Sequence, residues 1–194
     1  MPAAPAAPSS AAPQTSCFPG LRAASTPPAP TSPTEAPPRI LVIGFGNPGR
    51  RDDGLGPTLA ARLAARELPG VTIESDYQLC LEHAELVARH ESVLFVDAAI
   101  EVPGNAPFHL GPLQPLDQVS CFSHQLSPHA VLHVAAQCFG ARPSAWLLGV
   151  RAADVGSFAE GLTPAAERNL TAALDAALAW LASATTAAQS SSRP

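Results

Sequence analysis

The stretch LVIGFGNPGRRDDGLGP, residues 41–57, decides the fold. It completes the apolar run RILVIGF at 39–45, whose branched residues are typical of a strand buried on both faces. Two glycines and a proline follow this run, and then the neighbouring acids Asp52 and Asp53. Pro57 stands near the start of a helical pattern. The stretch therefore predicts a strand, a turn and a helix, the opening unit of an α/β domain.

The rest of the chain alternates in the same way. Strand patterns follow at VTIESD (71–76), SVLFVDAA (92–99) and SAWLLGV (144–150), with a candidate edge strand in APFHLGPL (106–113). Helical patterns lie between and after them; the clearest are SPHAVLHVAAQCFG (127–140) and TPAAERNLTAALDAALAWLA (163–182). This order predicts a three-layer α/β/α fold with a twisted, mostly parallel five-stranded sheet.

Composition limits the classes of function. The chain has 194 residues and a net charge of −5, with no basic block, so we expect one folded domain and no nucleic-acid partner. No apolar run reaches the roughly 20 residues that span a bilayer, so we expect no membrane partner. The four cysteines form no CxxC pair, which favours idle thiols in a reducing, cytoplasmic compartment.

Three segments are predicted from local composition. Residues 1–38 carry half of the 22 prolines among Ala, Ser and Thr, which indicates a disordered leader. Residues 39–182 form the single α/β domain, and residues 183–194 are expected to be a flexible tail. We expect a monomer.

Polar side chains follow the predicted strands at their carboxyl ends, where open α/β sheets bind ligands. Asp52 and Asp53 follow the first strand, Asp97 ends the 92–99 strand, and His124 precedes a helix. If the strand order is 2-1-3, these groups converge. Two carboxylates and an imidazole suit an open divalent metal site. Each also has a structural alternative, since acids cap turns and stabilise helix N-termini.

The glycines also invite a nucleotide-binding interpretation. Gly44, Gly46 and Gly49 have the GxGxxG spacing of dinucleotide-binding loops. However, Pro48 removes a backbone N–H, and two carboxylates oppose a phosphate. His129 and His133 are four residues apart but form no HExxH motif, so we expect them to be surface or packing residues. We expect His83, His90 and His109 to lie on the surface.

Taken together, GFGNPGRRDDGLGP, VLFVDAA and SHQLSPHAVL make residues 39–182 resemble the maturation endopeptidases of nickel–iron hydrogenases. The resemblance implies a twisted mixed sheet between helices. It assigns the catalytic and metal-binding roles to Asp53, Asp97 and His124, with Asp52 as a neighbour. It also implies substrate contacts at Gly46, Asn47 and Asp76. Many members of the family have two glycines directly after the residue that corresponds to Asp76, and this chain lacks them.

The implied activity is removal of a C-terminal peptide from the hydrogenase large-subunit precursor after nickel insertion. The nickel then belongs to the substrate, and the enzyme has no tightly bound cofactor of its own. The bond could be broken by a metal-polarised carbonyl or water, or by a carboxylate acting as general base.

Two alternatives come from other classes. Peptidyl-tRNA hydrolases share a GxGNPG turn, which residues 44–49 match, but they need a Thr-Arg-His-Asn stretch and a basic face. A non-catalytic α/β binding module would use the acids only as caps.

Overall fold

The computed structural model describes residues 39–115 and 126–191. The predicted leader, residues 1–38, lies outside the described residues. His124 also lies outside them, in the segment 116–125.

The described chain alternates strands and helices around one sheet. The strands are β1 (Ile40–Phe45), β2 (Val71–Asp76), β3 (Ser92–Ala99), β4 (Phe108–Leu113) and β5 (Ser144–Arg151). The helices are α1 (Leu55–Ala64), α2 (Glu82–Ala88), α3 (Pro128–Phe139) and α4 (Pro164–Ser191). The sheet order is β2-β1-β3-β5-β4, parallel except for β4, which pairs antiparallel with β5 at the edge. The prediction of a mostly parallel five-stranded sheet is confirmed.

Alternating residues of β1 divide the core between the two faces of the sheet. Ile40 and Val42 belong to a cluster with buried residues of α1 and α4. Leu41 and Ile43 belong to a second cluster with buried residues of α2 and α3. The three layers predicted from the alternation of elements follow from this division, because a strand buried on both faces needs a helical layer on each.

Glycines allow the end of β1 to pack against the start of α1. A Cβ on Gly44 would lie 2.2 Å from the backbone oxygen of Gly56, and one on Gly56 would lie 2.3 Å from that of Phe45. Neither contact is possible for a larger residue without backbone movement. The glycines in this stretch therefore serve close packing of the chain on itself.

The ends of α3 agree with the signals in the sequence. The Ser127 hydroxyl accepts a hydrogen bond from the Ala130 N–H at 3.2 Å, and Pro128 is the first helical residue. Gly140 ends the helix with a φ of 66° in the left-handed region. This helix matters for the site because its first residues form part of the cavity described below.

Helix α4 differs from the prediction at its C-terminal end. It continues to Ser191, past residue 182, where we expected the domain to end and a flexible tail to begin. Alanines of high helix propensity occupy this part, and the hydroxyls of Thr185 and Thr186 donate to carbonyl oxygens one turn back. Residues Pro164–Ala188 are long and apolar enough to span a bilayer by length and composition, but the inward face of α4 packs on the sheet.

Candidate active site

Two predicted site residues meet at the carboxyl edge of the sheet. Strands β1 and β3 are neighbours, with Gly44 paired to Val96, so Asp97, the next residue of β3, lies at the level where β1 ends. Asp53, in the loop after β1, and Asp97, in β3, line one cavity of about 440 Å³. The other described lining residues are Phe45, Gly46, Tyr77, Gln78, Leu79, Leu126, Ser127 and Pro128.

The glycine–asparagine turn holds Asp53 in place. The Asp53 Oδ2 atom accepts a hydrogen bond from the backbone N–H of Asn47 at 3.0 Å. The Asn47 side chain in turn accepts the Gly49 N–H at 2.9 Å, which tightens the turn. Gly46 has a φ of 135°, and a Cβ there would lie 2.0 Å from the backbone oxygen of Asp53. The turn therefore sets the position of the Asp53 carboxylate.

Asp97 is a partly buried carboxyl with an altered acidity. Burial raises its pKa to about 6; the hydrogen bond from the Ala98 N–H opposes this effect, and the negative charge of Asp53 adds to it. That hydrogen bond is 2.7 Å long and ends on Asp97 Oδ1. Two carboxylates that face one partly buried cavity repel each other, and a cation between them would relieve the repulsion.

Asp52 has a different role from its neighbour. It is fully buried, and its carboxylate accepts hydrogen bonds from the N–H groups of Ala153, Asp154 and Thr163 and from the Thr163 hydroxyl, at 2.7–3.0 Å. Burial raises the pKa of Asp52, but these hydrogen bonds outweigh burial and lower the pKa overall. Asp52 therefore ties the loop after β1 to the segment before α4. Its oxygens are already occupied, whereas Asp53 faces the cavity.

The three predicted substrate-binding residues are placed differently from one another. Gly46 lines the cavity, whereas Asn47 acts on it through its hydrogen bond to Asp53. Asp76 ends β2 at the same edge, and the Gly46 N–H donates to its backbone oxygen. Its exposed carboxylate accepts the Tyr77 N–H at 2.6 Å through Oδ1, and Oδ2 lies 3.8 Å from Nε2 of His83.

Two histidines complete the comparison with the sequence. The prediction that His83 lies on the surface is wrong: it is 8% exposed, because α2 packs it against the turn after β2. His129 Nδ1 lies 2.6 Å from the backbone oxygen of Gln114, as a packing residue would.

The sequence did not point to several other residues that line the cavity. Tyr77, Gln78 and Leu79 belong to the turn after β2, and Leu126, Ser127 and Pro128 lead into α3. Their position in the sequence could have indicated them, because one segment follows the carboxyl end of a strand and the other leads into a helix.

Comparison with solved structures shows which known proteins this chain is similar to. The hydrogenase maturating endopeptidase HybD from Escherichia coli is 28% identical, with a TM-score of 0.56, over 75% of this chain and 93% of that one. The [NiFe] hydrogenase maturation protease HycI from Thermococcus kodakarensis is 28% identical, with a TM-score of 0.54, over 70% and 87% of the two chains. The chain is thus similar in sequence and structure to nickel–iron hydrogenase maturation endopeptidases. No protein-family model matches the sequence, and no curated protein matches it.

Another member of this endopeptidase family supports the fold. The hydrogenase 2 maturation peptidase from a Thaumarchaeota archaeon is 24% identical, with a TM-score of 0.57, over 74% of this chain and 98% of that one. The similarity to maturation endopeptidases therefore extends over most of the described domain. This favours a peptidase over the peptidyl-tRNA hydrolase alternative.

Proposed function

We propose that this chain is the endopeptidase that removes the C-terminal peptide of a nickel–iron hydrogenase large-subunit precursor after nickel insertion. The observation that carries the proposal is the meeting of Asp53 and Asp97 in one cavity at the carboxyl edge of the sheet. The likeness to the maturation proteases HybD and HycI supports the general role.

In this proposal Asp53, Asp97 and His124 recognise nickel that arrives bound to the precursor. Carboxylate and imidazole donors suit a divalent first-row cation, and three protein groups leave positions for ligands from the precursor. The nickel is part of the substrate, so the enzyme needs no tightly bound cofactor of its own. Residues of the enzyme orient the cation, and the cation can polarise the scissile carbonyl or a water next to it.

The cavity walls suggest how the peptide would lie. Gly46 offers backbone without a side chain, and Tyr77, Gln78 and Leu79, in the turn after β2, form another part of the cavity lining. Asn47 contributes by holding Asp53 rather than by direct contact. Asp76, at the end of β2, is proposed to contact the precursor near its exposed carboxylate. The proposed setting is a cytoplasmic monomer that meets the precursor without nucleic acid or membrane.

The test is processing of a purified precursor with and without nickel. The intact chain should shorten the nickel-loaded precursor, as seen by mass spectrometry, and leave the nickel-free precursor uncut. Asp53→Ala, Asp97→Ala and His124→Ala should each abolish shortening while the protein stays folded by circular dichroism. Asp175→Ala, on the exposed face of α4, is the matched control and should cut normally.

Two results would overturn the proposal. One is a triple variant of the three site residues that still trims the precursor. The other is a nickel-free precursor that is trimmed as fast as the loaded one.

A further inference from the structure

A second group of metal-ligand side chains stands beside the cavity. Asp76 ends β2, Cys80 lies in the turn that follows, and His83 is in the first turn of α2. One ligand atom from each of the three lies within 4.8 Å of the other two. None of these side chains belongs to the Asp53, Asp97 and His124 set.

The distances within the group suit a tetrahedral ion. Nε2 of His83 lies 3.8 Å from Asp76 Oδ2, and one ligand atom from each of the three residues lies within 4.8 Å of the other two. Zinc bonds of about 2.0–2.3 Å place tetrahedral ligands about 3.3–3.8 Å from one another. Small side-chain rotations therefore bring one carboxylate oxygen, the sulfur and one ring nitrogen to bonding distance of a common centre.

The surroundings of the group also suit a cation. His83 is 8% exposed, and its Nδ1 accepts the Cys80 backbone N–H at 3.1 Å. This hydrogen bond orients the ring and leaves Nε2, the nitrogen that faces Asp76, to bind an ion. Metal binding would replace the proton of the Cys80 thiol.

We propose that Asp76, Cys80 and His83 form a second metal site, which takes Zn²⁺ with a fourth position left to water. A thiolate, an imidazole and a carboxylate are the donor types that zinc prefers. Metal binding at this site does not require the proposed proteolysis, although Asp76 is shared with the proposed precursor contact.

The site would brace one wall of the cavity. Tyr77, Gln78 and Leu79 line the cavity and lie between the first and second ligands in the chain. An ion that ties the end of β2 to the first turn of α2 would hold these three residues in place. Asp76 would then shape the cavity through this wall, in addition to any contact with a substrate.

Cobalt provides the probe, because a cobalt–thiolate bond absorbs in the near ultraviolet and carboxylates and imidazoles do not. The full chain, purified with a chelator and then freed of it, is titrated with Co²⁺ under anaerobic conditions. We expect a charge-transfer band that saturates at one equivalent and disappears when Zn²⁺ is added. Absence of the band in the intact chain would overturn the proposal.

Variants assign the band to its sulfur. Cys80→Ser should abolish it and weaken zinc binding by on the order of 100-fold or more, because a direct ligand is lost. Cys138→Ser is the matched control, since this cysteine is exposed on α3, and should keep the band. A chain whose only cysteine is Cys80, obtained by replacing the other three with serine, should also keep it. A band that survives in Cys80→Ser, or is missing from the chain that retains only Cys80, would refute the assignment.

A further variant separates this proposal from the proposed function. Asp97→Asn removes a ligand of the primary site and should leave the cobalt–thiolate band unchanged. Loss of the band in Asp97→Asn, with the fold intact by circular dichroism, would place the thiolate-bound metal in the primary cavity and contradict a separate site.

Discussion

Replacing Asp97 with asparagine should make the protein more stable at neutral pH. Asparagine has the same shape and its Oδ1 can keep the 2.7 Å hydrogen bond from the Ala98 N–H. It has no charge, so the cost of burying a carboxylate beside Asp53 disappears. The variant is therefore expected to lose function and gain stability, as is common where an active site holds a strained charge.

The size of the gain follows from the pKa of Asp97. The pKa rises from 3.8 to about 6 on folding, mainly through burial. At roughly 1.4 kcal/mol per pKa unit this is about 3 kcal/mol, and partial exposure to solvent reduces it to about 2 kcal/mol. For a domain of this size the midpoint of thermal unfolding should rise by about 4–8 °C.

The pH dependence has a definite sign. The folded chain holds the Asp97 proton more tightly than the unfolded chain, so the free energy of unfolding falls as pH rises from about 4 through 6. The asparagine variant lacks this dependence. The two proteins should therefore have nearly equal stability at pH 4, and the variant should be more stable at pH 7.

The measurement is urea unfolding at both pH values in the presence of a chelator, so that no cation neutralises the carboxylates. Asp175→Asn, at an exposed position on α4, is the control and should follow the wild type. The reasoning fails if the difference between Asp97→Asn and the wild type is the same at pH 4 and pH 7. It also fails if the wild type is the more stable protein at pH 7.

Three further predictions concern the surroundings of the site. Asp52→Ala leaves three partly buried N–H groups without their acceptor and should lower the free energy of unfolding in urea by about 3 kcal/mol or more at pH 7. Because folding lowers the pKa of Asp52, this loss of stability should shrink as pH falls below about 4. A loss that stays constant with pH would show that the negative charge of Asp52 does not stabilise the fold. Gly46→Ala should destabilise by more than about 1 kcal/mol and slow precursor processing, because the new Cβ meets the Asp53 backbone; normal processing would contradict the role of the turn. Ser127→Ala should cost about 1 kcal/mol in thermal unfolding through loss of the α3 cap, and an unchanged midpoint would show that the cap is unimportant.

Much of the fold could be predicted because it depends on local patterns. The bounds of β2 and β3 match the strands predicted at 71–76 and 92–99, and β3 is mostly apolar because helices cover both of its faces. The start of α3 follows from Ser127 and Pro128, whose effects act within one helical turn. The end of α4 was missed, because its serines and threonines suggested a loose tail while its alanines keep the helix intact.

The sequence by itself determined the fold class and placed Asp53 and Asp97 at one edge of the sheet, because parallel strands end on the same side. Only the tertiary structure decided what each of the two neighbouring acids does. Asp52 is buried against residues about 100 positions away, whereas Asp53 turns to the cavity. The grouping of Asp76, Cys80 and His83 was likewise decided by the turn between β2 and α2. Hydrogen-bond partners and burial depend on contacts between distant segments, and a local pattern of residues does not contain them.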